Sequence, residues 1–202
     1  FENRLRLPNG AEAVEIVRQM IVRPGLNPDR APSPPGPLSR STPRPSPGEG
    51  ELKTRFERPL FLVCPPRSGS SLLFETLAQS PDLWTIGGES HALIERIPAL
   101  HPSSRGFESN RLSEEDARPG IVERLERAFF AELRDRDGNA PAQNAAGLRL
   151  LEKTPKNALR VPFLAKAFPG ALFVYLYRDP RETVSSVLDA WKSGRFVTYP
   201  DL

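Results

Sequence analysis

Leu60-Phe61-Leu62-Val63-Cys64-Pro65-Pro66-Arg67-Ser68-Gly69-Ser70-Ser71-Leu72-Leu73 decides the fold of this chain: an apolar strand, a short Ser/Gly loop and the start of an apolar-periodic helix. A strand that delivers the chain to a turn, followed at once by a helix, aims the unpaired N–H groups and the positive dipole end of that helix at one spot. Gly69 allows the close backbone turn, Arg67 adds a fixed cation with forked donors, and Ser70 and Ser71 add hydroxyls. Such a site suits a phosphate or sulfate. A plain strand-turn-helix with serine caps is the alternative reading of the segment taken alone.

The loop is not a Walker A motif, because no glycine stands at Cys64 and Ser70 occupies the lysine position. The run Pro66-Arg67-Ser68-Gly69-Ser70-Ser71-Leu72 instead resembles the sulfotransferases that use 3′-phosphoadenosine 5′-phosphosulfate (PAPS). The resemblance implies that Arg67, Ser68, Gly69, Ser70, Ser71 and Leu72 form the 5′-phosphosulfate loop.

A second segment has the same grammar. Ala171-Leu172-Phe173-Val174-Tyr175-Leu176-Tyr177 reads as a strand, Arg178-Asp179-Pro180-Arg181 as a turn, and the residues from Thr183 onward as a helix. Pro180 suits a first helical position, and Val184, Val187, Leu188 and Trp191 make one apolar stripe, expected to be core. Arg178 sits at the carboxyl end of the strand, where ligands collect in open α/β sheets, and Ser186 lies about two turns into the helix. The pattern is similar to the family's 3′-phosphate site, which implies that Arg178 and Ser186 bind the nucleotide's 3′-phosphate.

Sulfuryl transfer to an alcohol or phenol needs a base for the acceptor proton and cations for the charge that develops. Glu89, in Gly87-Gly88-Glu89-Ser90-His91, resembles the base of the Gly-Glu-Glu-Thr segment in tyrosylprotein sulfotransferases, with a one-residue shift and Gly88 in place of the first glutamate. Lys153, in Glu152-Lys153-Thr154-Pro155, resembles the lysine of a post-strand Lys-Asp-Pro that supports the transferring group, and Arg67 is the third catalytic candidate. His91 is the rival base, since its intrinsic pKa suits the role. Glu89 as a helix-dipole partner and Glu152-Lys153 as a surface ion pair are the alternatives without catalysis. His101 reads as a loop residue, and Ser70 and Ser71 lack the Gly-x-Ser-x-Gly setting of a nucleophile.

The rest of the chain alternates β and α: a strand at 60–64, a helix at 71–80, an apolar turn at 83–86 and a helix after Glu89. A long amphipathic helix carrying Ile121, Val122, Leu125, Phe129, Phe130 and Leu133 is ended by Asp137-Gly138-Asn139. A strand at 148–151 and a helix capped by Thr154, opened by Pro155 and kinked at Pro162, complete the series. The pattern predicts an α/β fold, a parallel sheet flanked by helices with the site at the strands' carboxyl ends. Upstream, 11–22 reads as a helix within an N-terminal segment 1–23. Residues 24–54 read as a linker, with seven prolines between Ala31 and Gly50; residues 55–202 form the domain.

With 202 residues and 38% hydrophobic content the chain suffices for one compact core. The net charge of +3 rests on 23 Arg and 5 Lys without basic blocks interleaved with aromatics, so nucleic acid is not an expected partner. Cys64 cannot form an internal disulfide and is expected to pack as a small hydrophobe. No leader and no apolar run of about 18 residues is visible, so no membrane association is expected and a cytoplasmic protein is the default.

The resemblance covers about residues 58 to 191. Family members continue with further helices, a loop over the adenine and 3′-phosphate, and much of the acceptor pocket; no residue here supplies those parts, so the sequence reads either as a fragment or as a truncated, inactive relative, with Arg195 a further candidate for cofactor contact. The reading is a PAPS-dependent sulfotransferase that sulfates an acceptor hydroxyl by direct in-line transfer, with no metal. A kinase with a degenerate P-loop and a catalytically inactive nucleotide-binding module are the alternatives.

Overall fold

The computed structural model describes residues 55–194. The helix expected at 11–22, the linker at 24–54 and Arg195 lie outside the described residues. Three strands, β1 (Leu60–Val63), β2 (Leu151–Lys153) and β3 (Leu172–Tyr175), form a parallel sheet in the order β2-β1-β3. Leu60 lies opposite Leu151 and Leu172, and Leu62 opposite Lys153 and Val174. Parallel neighbours need crossovers, and helices supply them. Between β1 and β2 run α1 (Ser70–Leu77), α2 (His91–Glu95) and α3 (Pro119–Glu132); α4 (Val161–Ala167) joins β2 to β3, and α5 (Pro180–Lys192) follows β3. This is the expected α/β architecture, with the strands' carboxyl ends on one edge.

Alternation along each strand divides the core into two layers. Leu60, Leu62, Leu151 and Val174 meet Leu77, Leu73 and Phe74 of α1 on one face. Phe61, Val63 and Phe173 turn to the other, against Leu125 and Phe129 of α3, Phe163 and Leu164 of α4, and Phe168. Phe61 stacks on Phe173 at 5.5 Å between ring centroids, and Phe168 meets Phe129 edge-on at 5.9 Å. Burying each such ring contributes roughly 1.5–3 kcal/mol. Cys64 is fully buried.

Several local expectations are corrected by tertiary structure. α3 ends at Glu132, and Leu133 leaves it in an extended conformation while staying fully buried. Asp135 Oδ1 then accepts the amides of Asp137 and Asn139, closing a separate turn around Gly138. In place of a strand at 148–151, Leu148 and Leu150 make isolated bridges to Phe56 and Trp84, and the regular strand carries on through Lys153. The 83–86 segment is thus a sheet neighbour rather than a bare turn. Pro155–Leu159 form a 3₁₀ turn, and α4 starts afresh with Pro162 in its first turn, where a missing N–H costs nothing, so no kink arises.

The apolar stripe of α5 is not core. Val184 (57%), Leu188 (45%) and Trp191 (61%) are exposed, while Thr183 is buried and Ser186, Val187 and Ala190 are half-buried. Thr183, Ser186, Val187 and Ala190 also follow helical spacing, and this smaller, more polar face is the one turned to the body. The bond between Ser186 and Arg67 described below belongs to that rotation.

Candidate active site

The turn between β1 and α1 is built from two left-handed residues. Gly69 adopts φ +85°, with open space where a Cβ would project, and Arg67 adopts φ +64°. A non-glycine residue in this region is uncommon and needs its surroundings to hold it. Ser68 Oγ donates to the Pro65 carbonyl at 2.8 Å, bracing the turn from inside. Arg178 Nη1 donates to the Arg67 carbonyl at 2.7 Å, bracing it from β3. Arg67 Nε in turn donates to Ser186 Oγ of α5 at 3.1 Å.

The structure therefore brings the two expected phosphate elements together: Arg67, Arg178 and Ser186 form one hydrogen-bonded group beside the N-terminus of α1. Ser68 and Ser70 are buried at the base of the loop, and Ser71 and Leu72 are exposed on the first turn. The Leu72 side chain is 56% exposed, so what this residue offers the loop is its backbone amide in the first turn of α1. Two guanidinium groups, serine hydroxyls and first-turn amides are a donor-rich set, and an open glycine corner gives a ligand access to the backbone. The chemistry fits a multiply charged phosphate or sulfate anion. Arg178 also pairs with Glu182, Nε to Oε2 at 3.2 Å on the exposed side of α5.

The second group stands at the end of β2. Lys153, whose side chain is 11% exposed, donates to Glu89 Oε1 at 2.9 Å. The other carboxylate oxygen of Glu89 faces His91 Nδ1 at 3.6 Å. Glu89, Lys153 and the rival His91 are thus one cluster, with Glu89 between the other two. Leu62 registers with Lys153 on one side and Val174 on the other, so both groups occupy the same carboxyl edge of the sheet. His101 is spent in a loop, its Nδ1 accepting the Ser103 amide at 3.1 Å.

Two buried polar networks were not legible as sites in the sequence. Glu152 is fully buried and accepts from Ser90 Oγ at 2.6 Å, from Thr154 Oγ1, and from Asn157 Nδ2 at 2.9 Å. Burial pushes its carboxyl pKa up, against the opposing pull of these bonds. Thr154, expected as a helix cap, spends its hydroxyl here instead and accepts the Ser90 amide at 2.7 Å. The available signal was a carboxylate inside the strand run Leu148-Arg149-Leu150-Leu151-Glu152, a place where a charge must find partners. In the second network Arg160, fully buried, donates to Glu95 at 2.7 Å and to the Asn110 carbonyl at 3.1 Å, while Lys156 reaches Glu95 at 3.1 Å.

Among the described residues no three His, Cys, Asp or Glu side chains cluster as a metal site, and no helix is long and apolar enough to cross a membrane.

Comparison with known proteins gives this geometry a context. A family model described as "Sulfotransferase family" matches residues 59–199. Protein-tyrosine sulfotransferase 1 of Danio rerio is 32% identical over 131 residues, 64% of this chain and 35% of that protein. Protein-tyrosine sulfotransferase 2 of Gallus gallus is 30% identical over 141 residues, 68% of this chain and 36% of its own length. Protein-tyrosine sulfotransferase 1 of Homo sapiens is 30% identical over 131 residues, covering 64% and 33%. The chain spans about a third of the length of these curated relatives. They also overturn the cytoplasmic default: these relatives are Golgi-resident membrane enzymes, and a sequence that spans about a third of their length is no guide to location.

Proposed function

This chain belongs to the sulfotransferase family, and from that premise we propose that it transfers a sulfuryl group from PAPS to an acceptor hydroxyl. A tyrosine side chain of a protein is the acceptor class named by its relatives. The observation that carries this reading is the pairing of two groups on one sheet edge: an anion cradle of Arg67, Arg178 and Ser186, and a carboxylate–ammonium pair of Glu89 and Lys153.

When bound, PAPS supplies the activated sulfuryl group, and 3′,5′-ADP is what departs. The loop amides and hydroxyls of 68–72 and Arg67 hold the 5′-phosphosulfate, and Arg178 with Ser186 binds the 3′-phosphate. Arg178 then exchanges its bond with Glu182 for the ligand. Glu89 takes the proton of the acceptor hydroxyl as the new oxygen–sulfur bond forms. Lys153 orients that carboxylate through its 2.9 Å bond and places a cation where negative charge gathers. His91, on the far oxygen of Glu89, is positioned to pass the proton to solvent.

Kinase chemistry is not favoured, since the loop lacks the P-loop lysine and the family is that of sulfotransferases. The test is transfer of labelled sulfuryl from PAPS to a tyrosine-containing peptide by the full-length protein, with EDTA present. Transfer supports the proposal; label that stays on the nucleotide, with phosphate moving from ATP instead, overturns it.

A further inference from the structure

The element that carries Glu89 has little to hold it. Gly87, at φ +72°, and Gly88 precede it directly, and a diglycine lead leaves a loop with more backbone freedom than any other pair. Lys153 needs no such help, because β2 fixes its backbone in register with Leu62. What ties the loop down is the next residue. Ser90 is fully buried; its amide donates to Thr154 Oγ1 at 2.7 Å and its hydroxyl to Glu152 Oε1 at 2.6 Å. Thr154 donates to the same oxygen, and Asn157 Nδ2 donates both to Glu152 Oε2 at 2.9 Å and to Ser90 Oγ at 3.2 Å. Glu152 is the common acceptor of the whole network. Strand alternation turns its side chain away from that of Lys153, so the carboxyl lies beneath the site rather than in it.

We propose that Glu152 is a positioning residue: through Ser90 it clamps the 87–90 loop to the end of β2, so that Glu89 stays on Lys153 and in line with the acceptor. The proposal rests on the reading of Glu89 as the base. A purely apolar residue would fill the same buried position at less electrostatic cost, since a carboxyl without charge partners is expensive to bury. A leucine there would leave the Ser90 and Thr154 hydroxyls without their acceptor and the glycine loop untied. Misplacing a catalytic group by about 1 Å costs up to about 100-fold in rate, which is the scale at stake.

The test is a double-mutant cycle in the full-length protein, reading turnover of a tyrosine peptide and calorimetric affinity for 3′,5′-ADP. Glu152→Ala should lower kcat about 10- to 100-fold while 3′,5′-ADP affinity stays within about threefold. In a Glu89→Gln background the same change should cost under about threefold, because no base remains to be misplaced. Glu152→Gln should keep turnover within about fivefold. Its carbonyl still accepts both hydroxyls, and its amide meets Asn157, whose buried Oδ1 lacks a partner and can accept once that amide turns over. If Glu152→Ala does not fold, Ser90→Ala replaces it in the cycle under the same criterion. Equal losses in the wild-type and Glu89→Gln backgrounds, or turnover within threefold of wild type for Glu152→Ala, would overturn the proposal with the base left in place. Wild-type turnover by Glu89→Gln would instead remove the base itself and the clamp's purpose with it.

Discussion

Arg67 and Ser186 are 119 residues apart in sequence and joined by a 3.1 Å hydrogen bond from Nε to Oγ. The turn between β1 and α1 and the helix α5 are therefore one unit, and the carbonyl of the same arginine is held by Arg178. A ligand that engages this cradle at two phosphates should feel both ends.

Arg178→Ala should weaken 3′,5′-ADP binding by about ten- to a hundredfold, the worth of one charge-assisted contact of roughly 1.5 to 3 kcal/mol. Binding of 5′-AMP should change far less, because the lost contact is to the 3′-phosphate. Calorimetry with both nucleotides checks this. Equal loss for the two would assign Arg178 to loop bracing alone.

Glu182 occupies Arg178 in the structure, at 3.2 Å and on the exposed face of α5. Exposed pairs of this kind are worth at most about 1 kcal/mol, so Glu182→Gln should tighten 3′,5′-ADP binding by up to about fivefold. The gain should shrink as salt is raised. Weaker binding in the variant would show that Glu182 orients Arg178 rather than competing for it.

Glu95 should govern acid stability. Burial raises its pKa, but Arg160 and Lys156 outweigh burial and hold the carboxyl below its ordinary range. A depressed folded-state value means that the stabilisation is present above the ordinary Glu range and is lost as pH falls through it toward the folded value. Glu95→Gln leaves the fully buried Arg160 without its carboxylate, which should cost about 3–5 kcal/mol at neutral pH. The variant should also lose part of the acid-side slope. Urea melts of both proteins between neutral and acid pH measure this, and a cost under about 1 kcal/mol at neutral pH would contradict it.

What the sequence showed was local: a strand, a glycine turn and a helix start at 60–73, and again at 171–183, each visible in consecutive residues. The parallel sheet and the carboxyl-edge location of Arg67, Lys153 and Arg178 followed from β/α alternation, whereas the order β2-β1-β3 is set by tertiary pairing. The rotation of α5 did not, because its apolar stripe was longer than the face that Thr183 and Ser186 present, and a distant partner of Ser186 decided between them. Glu152, read only as one half of a surface ion pair with Lys153, is instead fully buried, and its role was hidden for a similar reason. Its partners Ser90, Thr154 and Asn157 come from two segments, and hydrogen bonds between segments 62 to 67 residues apart leave no periodic trace. Arg67 at a positive φ is likewise a consequence of Ser68 and Arg178 acting together, not of its own preference.

The division of labour between the two groups is the central claim, and Glu89→Gln tests it most directly in the full-length protein with PAPS and a tyrosine peptide. The variant should bind 3′,5′-ADP within about threefold of wild type, since the cradle of Arg67, Arg178 and Ser186 is intact, and should lose roughly 10²- to 10⁴-fold in turnover. Turnover within a few fold of wild type, together with an inactive His91→Ala, would contradict the claim and hand the proton to His91.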